Sequence, residues 1–303
     1  MEMIRYDVVK HQAELFRSMT SLDTPEFEKM LDYFRSAWMA YRKEAYKEPH
    51  SPVGRKPILE TIEDKLLFIL FYFKTYPLQE VLAFQFDMSQ SQACYWIHVL
   101  DKVLRKALAS MGHLPERDPS ILASTLSENG RFVIDGTERR IQRPKDNEEQ
   151  QKYYSGKKKT HSVKNNVIVN MDTRMVEHLS GTCEGKKHDK KICDEERPTL
   201  PQGCTLYKDT GYQGYEPEGI ETVQPKKKPR GKELTDEEKE ANRLISSVRV
   251  VVEHVISGIK RCRIVKDIFR NTKDKFADLA MEIACGLHNL RNHCRSLVAT
   301  STT

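Results

Sequence analysis

The hydrophobic period of this chain first changes at the proline-containing segment GHLPERDPSIL, residues 112 to 122. Before it, apolar residues recur at helical spacing. After it come RFVIDGTERRI, KTHSVKNNVIVNMD, RMVEHLSGTC and GCTLYKD, short β-branched runs with the character of strands. A helical pattern intervenes around 188 to 196 and dominates again from Thr235, where a T-x-x-E capping box to Glu238 opens a helix that can run to about Cys262. Three strands, a helix, a fourth strand and then helices predict an α/β domain on a mixed sheet. The division expected is an all-α region over 1–120 followed by an α/β domain over 121–303.

The first 48 residues read as helical, with Thr24 as N-cap and Pro25 at the first helical position. EPHSPVGRKP, 48 to 57, reads as a linker. Beyond it three helical segments are expected. The first ends near Thr75 ahead of Pro77, the second is short and stops around Asp87, and the third opens with Ser89 and Gln92 in an S-x-x-Q capping box. A short helix, a tight turn and a helix with a polar N-terminal edge is the helix-turn-helix arrangement, here over about 58–109. Gln90, Ser91, Gln92 and Tyr95 would then meet base edges. A plain three-helix core fits the same spacing.

In RVVVEHVISGIK, 249 to 260, a polar stripe runs along an apolar helix. At ~100° per residue, Arg249 and Lys260 fall within about 40° of Glu253, and Ser246 and Asn242 within about 20°. The surrounding valines and isoleucines predict a mostly buried helix, on which a carboxylate needs a partner, a metal or a function. Asp135 follows the apolar run FVI, and Asp209 follows TLYK. Three converging carboxylates would hold two divalent ions for phosphoryl transfer, and Mg²⁺ suits such all-oxygen ligands. Local roles compete with this reading. Asp135 or Asp209 can simply start a turn before its glycine, and Glu253 can pair with Arg249 at i,i+4.

Taken in order, VIDGTE, YSGKKKTHSVK, HDKK, LYKDTGYQG and R-x3-E-x6-K closely resemble the catalytic domain of DDE-type insertion-sequence transposases. The branch resembled is the IS-five and Harbinger-like one, and the likeness covers roughly 129 to 295. It implies an RNase H-like fold in which Asp135, Asp209 and Glu253 hold two Mg²⁺ or Mn²⁺ ions. It also implies that Arg249 and Lys260 handle DNA phosphates. Ser246 stands where the family signature has tyrosine. Lys157, Lys158, Lys159 and Lys164 would contact the DNA backbone. His161 fits a supporting role in the sheet better than a DNA contact, and His188 with Asp189 would orient the edge of the site.

Charge distribution agrees with a polyanionic partner. Residues 151 to 164 carry five lysines and no acid, and QPKKKPRGK, 224 to 232, is basic throughout. The longest apolar run, LLFILFYF, is far short of the ~20 residues that span a bilayer. MEMIRYDVVKHQ has no basic start followed by an apolar core, so no signal peptide is expected. Seven cysteines without a CxxC pair point to a reducing compartment. The expectation is therefore a cytoplasmic, nucleoid-associated protein of a prokaryotic host, acting on double-stranded DNA as a dimer or higher assembly, with no membrane partner. Its activity would be metal-dependent hydrolysis and strand transfer at terminal inverted repeats. The alternatives are an inactive or domesticated transposase-derived DNA-binding protein, and a host nuclease acting on RNA–DNA hybrids.

Overall fold

The computed structural model describes residues 3–45, 57–228 and 233–301. Most of the expected linker and the end of the QPKKKPRGK run lie outside these residues. The chain forms two compact units. One comprises Met1–Leu114, Lys260–Asp267 and Ala280–Thr303, and the other Pro115–Ile259 and Ile268–Leu279. Space therefore divides the chain differently from a single cut at 120, because two C-terminal segments join the helical unit.

The helical unit begins with α1 (Tyr6–Val9), α2 (Ala13–Thr20) and α3 (Thr24–Ala45), continues through α4 (Ile62–Thr75), α5 (Gln79–Gln85) and α6 (Gln90–Ser110), and takes in the later part of a C-terminal helix. The N-cap of α3 is Asp23 rather than the expected Thr24. The Asp23 carboxylate accepts from the Glu26 N–H at 3.0 Å, and the Glu26 carboxylate accepts from the Asp23 N–H at 2.9 Å. This closes the reciprocal box one residue earlier. Every residue of α4 from Asp64 to Phe73 is buried, which makes it the central helix of the unit. Its one buried ammonium, Lys65, donates to the carbonyls of Leu59, Glu60 and Thr61 and lies 5.5 and 5.7 Å from the Trp38 and Trp96 rings. A buried charge persists only with partners of this kind.

The three helices α4, α5 and α6 end and begin where the local signals put them. Tyr76 caps α4 in the left-handed region, and Pro77 cannot continue the helix. Both halves of the Ser89/Gln92 capping box are formed. Phe86, in the turn, is fully buried edge-on to Phe68 and Phe71, which fixes α5 against α4. Gln90, Ser91, Gln92 and Tyr95 are all exposed at the start of α6. Ser89→Ala removes one half of the cap and is expected to destabilise the unit by about 1 kcal/mol in a urea melt.

The second unit contains α7 (Leu122–Thr125), β1 (Arg131–Arg140), α8 (Asn147–Tyr153), β2 (Tyr154–Ser155), β3 (Thr160–Asn170), β4 (Val176–Leu179), β5 (Cys183–Glu184), α9 (Asp189–Glu196), β6 (Thr205–Tyr207), β7 (Glu221–Val223) and α10 (Asp236–Ile259). Helix α11 (Phe276–Ser301) begins there and ends in the helical unit. The sheet is mixed, in the order β2-β3-β1-β6-β7, with β4 and β5 also paired to β3. Strand β1 runs antiparallel to β3 and parallel to β6, and β6 runs parallel to β7. The edge strand β7 and the short α8 were not legible as elements in the sequence.

Side chains alternate between the faces of β1. Phe132 and Ile134 join Ile168, Cys193, Leu206 and Tyr212 in one buried cluster, so that face is covered by α9 and the turn after β6. Helix α10 contacts β1 and β6 through a stripe of Val252, Val255 and Ile259, all buried. The expectation that this helix is mostly buried is not met. Val250 is 41% exposed, and Glu253, His254 and Ser257 are exposed too. A single stripe at i, i+3, i+7 is enough to seat the helix, and valines off the stripe carry no obligation to be inside. The Thr235/Glu238 capping box opens α10 as expected.

Candidate active site

Asp135 lies within β1 and Asp209 just past the end of β6, the parallel strand beside it. Val133 of β1 pairs with Tyr207, the last residue of β6, and each acid follows its member of that pair by two residues. Adjacent strands lie about 4.8 Å apart, so the two carboxylates are brought side by side at one end of the parallel pair. Ligand sites of open α/β sheets collect at this end, beyond the strands' carboxyl termini.

Asp135 is not at a turn, since β1 continues through it and Gly136 to Arg140. Its Oδ1 accepts from the Gly136 N–H at 2.8 Å. Asp209 does take the local role weighed for it. It caps a single 3₁₀ turn, Thr210–Tyr212, with Oδ1 accepting from the Gly211 N–H at 2.6 Å. Its other oxygen, Oδ2, lies 3.6 Å from Nη2 of Arg249 on α10. That guanidinium compensates the acid pair from α10.

The compensation is incomplete. Burial, followed by the repulsion of Asp209 and Asp189 and opposed by the Gly136 N–H and Arg249, holds the Asp135 carboxyl up at about 6. A buried carboxyl with carboxylate neighbours is a place where a hard divalent cation relieves repulsion, and its donors are all oxygen. Asp135 and Asp209 thus fit such an ion. Glu253 is exposed one helical turn beyond Arg249, and among the described residues no three His, Cys, Asp or Glu side chains form a ready-made metal cage. Glu253, on α10, is thus not gathered with the two aspartates.

Asp189, at the first position of α9, is closer to the pair than its sequence context suggested. A Cβ added to Gly136 would meet Asp189 Oδ1 at 2.6 Å, and one added to Gly211 would meet Asp189 Oδ2 at 3.7 Å and Asp209 Oδ1 at 2.8 Å. The carboxylate therefore packs directly on the two backbones that carry the acids. Only the glycines following Asp135 and preceding Tyr212 hinted at so close an approach.

Lys164 holds Asp189 in place. Its ammonium lies 3.0 Å from Asp189 Oδ1 and 3.6 Å from Glu138 Oε1, and donates to the Lys187 carbonyl at 2.9 Å. Expected as a DNA contact, Lys164 is instead 7% exposed and neutralises two acids inside the unit. Residues 162 to 169 of β3 are all buried, so both faces of the strand are covered and Lys164 lies inside the protein. Lys157, Lys158 and Lys159 are exposed in the turn between β2 and β3. His161 lies edge-on to Tyr154 at 5.5 Å, in the supporting position expected of it. Ser246 is exposed and donates back to the Asn242 carbonyl at 2.8 Å, and Lys260 falls in the helical unit just past α10.

A helix-turn-helix and a separate sheet with an acid pair at the ends of parallel strands define a nucleic-acid-directed protein with a charged centre. Comparison with known families agrees. A family model described as DDE superfamily endonuclease matches residues 134–289, half of the chain, and one described as the helix-turn-helix of DDE superfamily endonuclease matches 58–110. This chain belongs to the DDE superfamily endonucleases. A protein of Microchaete diplosiphon named "Probable transposase for insertion sequence element IS702" is 28% identical over 277 residues, covering 91% of this chain and 94% of that protein. A Streptomyces albus G protein, named as a transposase for insertion sequence element IS112, is 26% identical over 210 residues, covering 68% and 72%. No solved structure matches.

Proposed function

We propose that this protein is a DNA transposase of the insertion-sequence branch shared with Harbinger-like nucleases, built on an RNase H-like fold. The observation that carries the reading is the pair of Asp135 in β1 and Asp209 just past the parallel strand β6, with Asp135 destabilised as a free carboxylate by burial and by Asp209. Glu253, on α10, would be the third acid of the triad. Two Mg²⁺ or Mn²⁺ ions would supply Lewis-acid activation of the attacking and leaving oxygens. The chain's own side chains orient and compensate. Arg249, now on Asp209, is placed to meet a phosphate, and Lys260 lies beyond it on the same stripe. Water and then the freed 3′-OH act as nucleophiles in hydrolysis and strand transfer, so no covalent enzyme intermediate forms.

The exposed start of α6, with Gln90, Ser91, Gln92 and Tyr95, reads the terminal inverted repeats of the element. Joining two such ends calls for a dimer or a larger complex on DNA. Lys157, Lys158 and Lys159 bind backbone. Replacing all three by alanine is expected to weaken binding uniformly across sequences and to flatten the log–log salt slope by about 0.9 for each phosphate that is no longer neutralised.

The deciding experiment incubates the protein with labelled terminal-repeat duplex and Mg²⁺, beside Asp135→Asn and Glu253→Gln. Wild-type nicking that both variants lose supports the triad. Binding without any nicking would leave the other reading, a DNA-binding derivative without activity, which the exposure of Glu253 favours.

A further inference from the structure

Resting on that reading of Asp135 and Asp209 as the cation-binding pair, we propose that Asp189 is a positioning residue. Clamped by Lys164, its carboxylate sets the separation of the two acids and deepens the field that draws a divalent cation to them. It acts from behind the pair. In β1 the side chain of Asp135 points to the face opposite Phe132 and Ile134, whereas Gly136 shares their face, and Asp189 lies where a Gly136 side chain would be. It does not need to touch the ion in order to act on it.

Three observations combine. The carboxylate lies against both Gly136 and Gly211, so it bridges the backbone of β1 to the turn that caps on Asp209. Its own position is fixed from β3, by the Lys164 ammonium on its side chain and by Asn166, which donates to the Asp189 carbonyl at 2.9 Å and to Cys193 Sγ at 3.2 Å. Lys164 and Asn166 are both buried. Finally, Tyr212 is fully buried within the same group. Its hydroxyl has no hydrogen-bond partner, and its principal electrostatic neighbours are Cys193, Asp189, Asp135 and Asp209. An unpaired buried O–H is costly where it stands, which marks this group of charges as a place held for something other than stability.

Position and charge separate by substitution. Asp189→Asn keeps the bulk against the glycines and removes the charge, whereas Asp189→Ala removes both. A charge behind the pair, partly neutralised by Lys164, alters affinity modestly at an effective dielectric near 20. About fivefold weaker binding is expected for the asparagine variant, and at least about twentyfold for the alanine variant.

The test is direct Mn²⁺ titration of the full chain by the loss of the free-ion electron paramagnetic resonance signal, with thermal melts of each protein in chelator. Asp135→Asn serves as the reference for the pair. The expected result is a wild-type site lost in Asp135→Asn, weakened in Asp189→Asn and weakened further in Asp189→Ala, with the asparagine variant melting close to wild type. The Mg²⁺ needed for half-maximal nicking should rise in parallel, while the rate at saturation stays within about threefold. Wild-type Mn²⁺ affinity in Asp189→Asn overturns the inference and leaves the pair intact. Absence of any wild-type site sensitive to Asp135→Asn overturns the pair and the inference together. If Asp189→Asn does not fold, Asp189→Ala is read alone, and wild-type Mn²⁺ affinity in it overturns the inference.

Discussion

Asp135→Asn will melt at a higher temperature than the wild type in chelator at pH 7, and will lose the stabilisation that Mg²⁺ gives the wild type. The Asp135 carboxyl is raised from its ordinary value of 3.8 to about 6, with burial as the largest cause. Between those two values the folded chain holds a proton that the unfolded chain has released. Stability therefore falls as pH rises through this window, and the full cost is present above about 6. A shift of this size corresponds to about 3 kcal/mol. Asparagine leaves the Gly136 N–H with an acceptor and removes the charge, so a gain of about 2 kcal/mol, on the order of 5 °C, is expected. Differential scanning calorimetry of both proteins from pH 4 to 8 checks the sign. Their difference should open between about 4 and 6 and stay constant above. In the wild type, Mg²⁺ stabilisation should fade as pH drops through about 6, because the protonated acid is no longer a ligand. Equal melting of both proteins at all pH values would remove the strained carboxylate from the account of the site.

Lys164→Met is expected to cost the sheet unit about 3–5 kcal/mol, the range for stranding buried partners of an ion pair. Lys164 neutralises Glu138 across the β1–β3 pairing and Asp189 at the start of α9. Methionine fills the stem's volume but leaves two carboxylates and the Lys187 carbonyl without their donor. Adding Asp189→Asn should restore part of the loss, with a coupling of about 1–2 kcal/mol in urea denaturation. Strict additivity would mean that Asp189 and Lys164 act independently. A surface lysine reserved for DNA would give the opposite pattern, with unchanged stability and weakened, salt-sensitive binding. The two measurements separate the interior role seen here from the exterior one that the sequence suggested.

The sequence revealed the helix-turn-helix because its signals are local. Ser89 and Gln92 satisfy each other three residues apart, and Tyr76 and Pro77 end α4 without help from elsewhere. The same kind of interaction opens α10 at Thr235, and it also corrects the start of α3, where Asp23 outcompetes Thr24 for the cap. Asp135, Asp209 and Arg249 were each singled out from their neighbours in sequence. That Asp135 and Asp209 stand side by side was not, because it depends on β1 pairing parallel to β6 across more than seventy residues of chain.

Valines on either side of Glu253 suggested burial. The sheet needs only one face of α10, so the glutamate is left in solvent. Lys164 belongs to a basic run by sequence, yet β3 is covered on both faces, so Lys164 is buried while Lys157, Lys158 and Lys159 in the preceding turn are exposed. Asp189 was expected, with His188, to orient the edge of the site, but only the packing of α9 on Gly136 and Gly211 shows that it lies against the backbones of both acids. Sequence by itself determined where elements start and stop and which side chains carry charge, because those follow from contacts within a turn or two. Tertiary structure decided which charges face each other and which face water, because burial and strand pairing are settled between residues far apart in the chain.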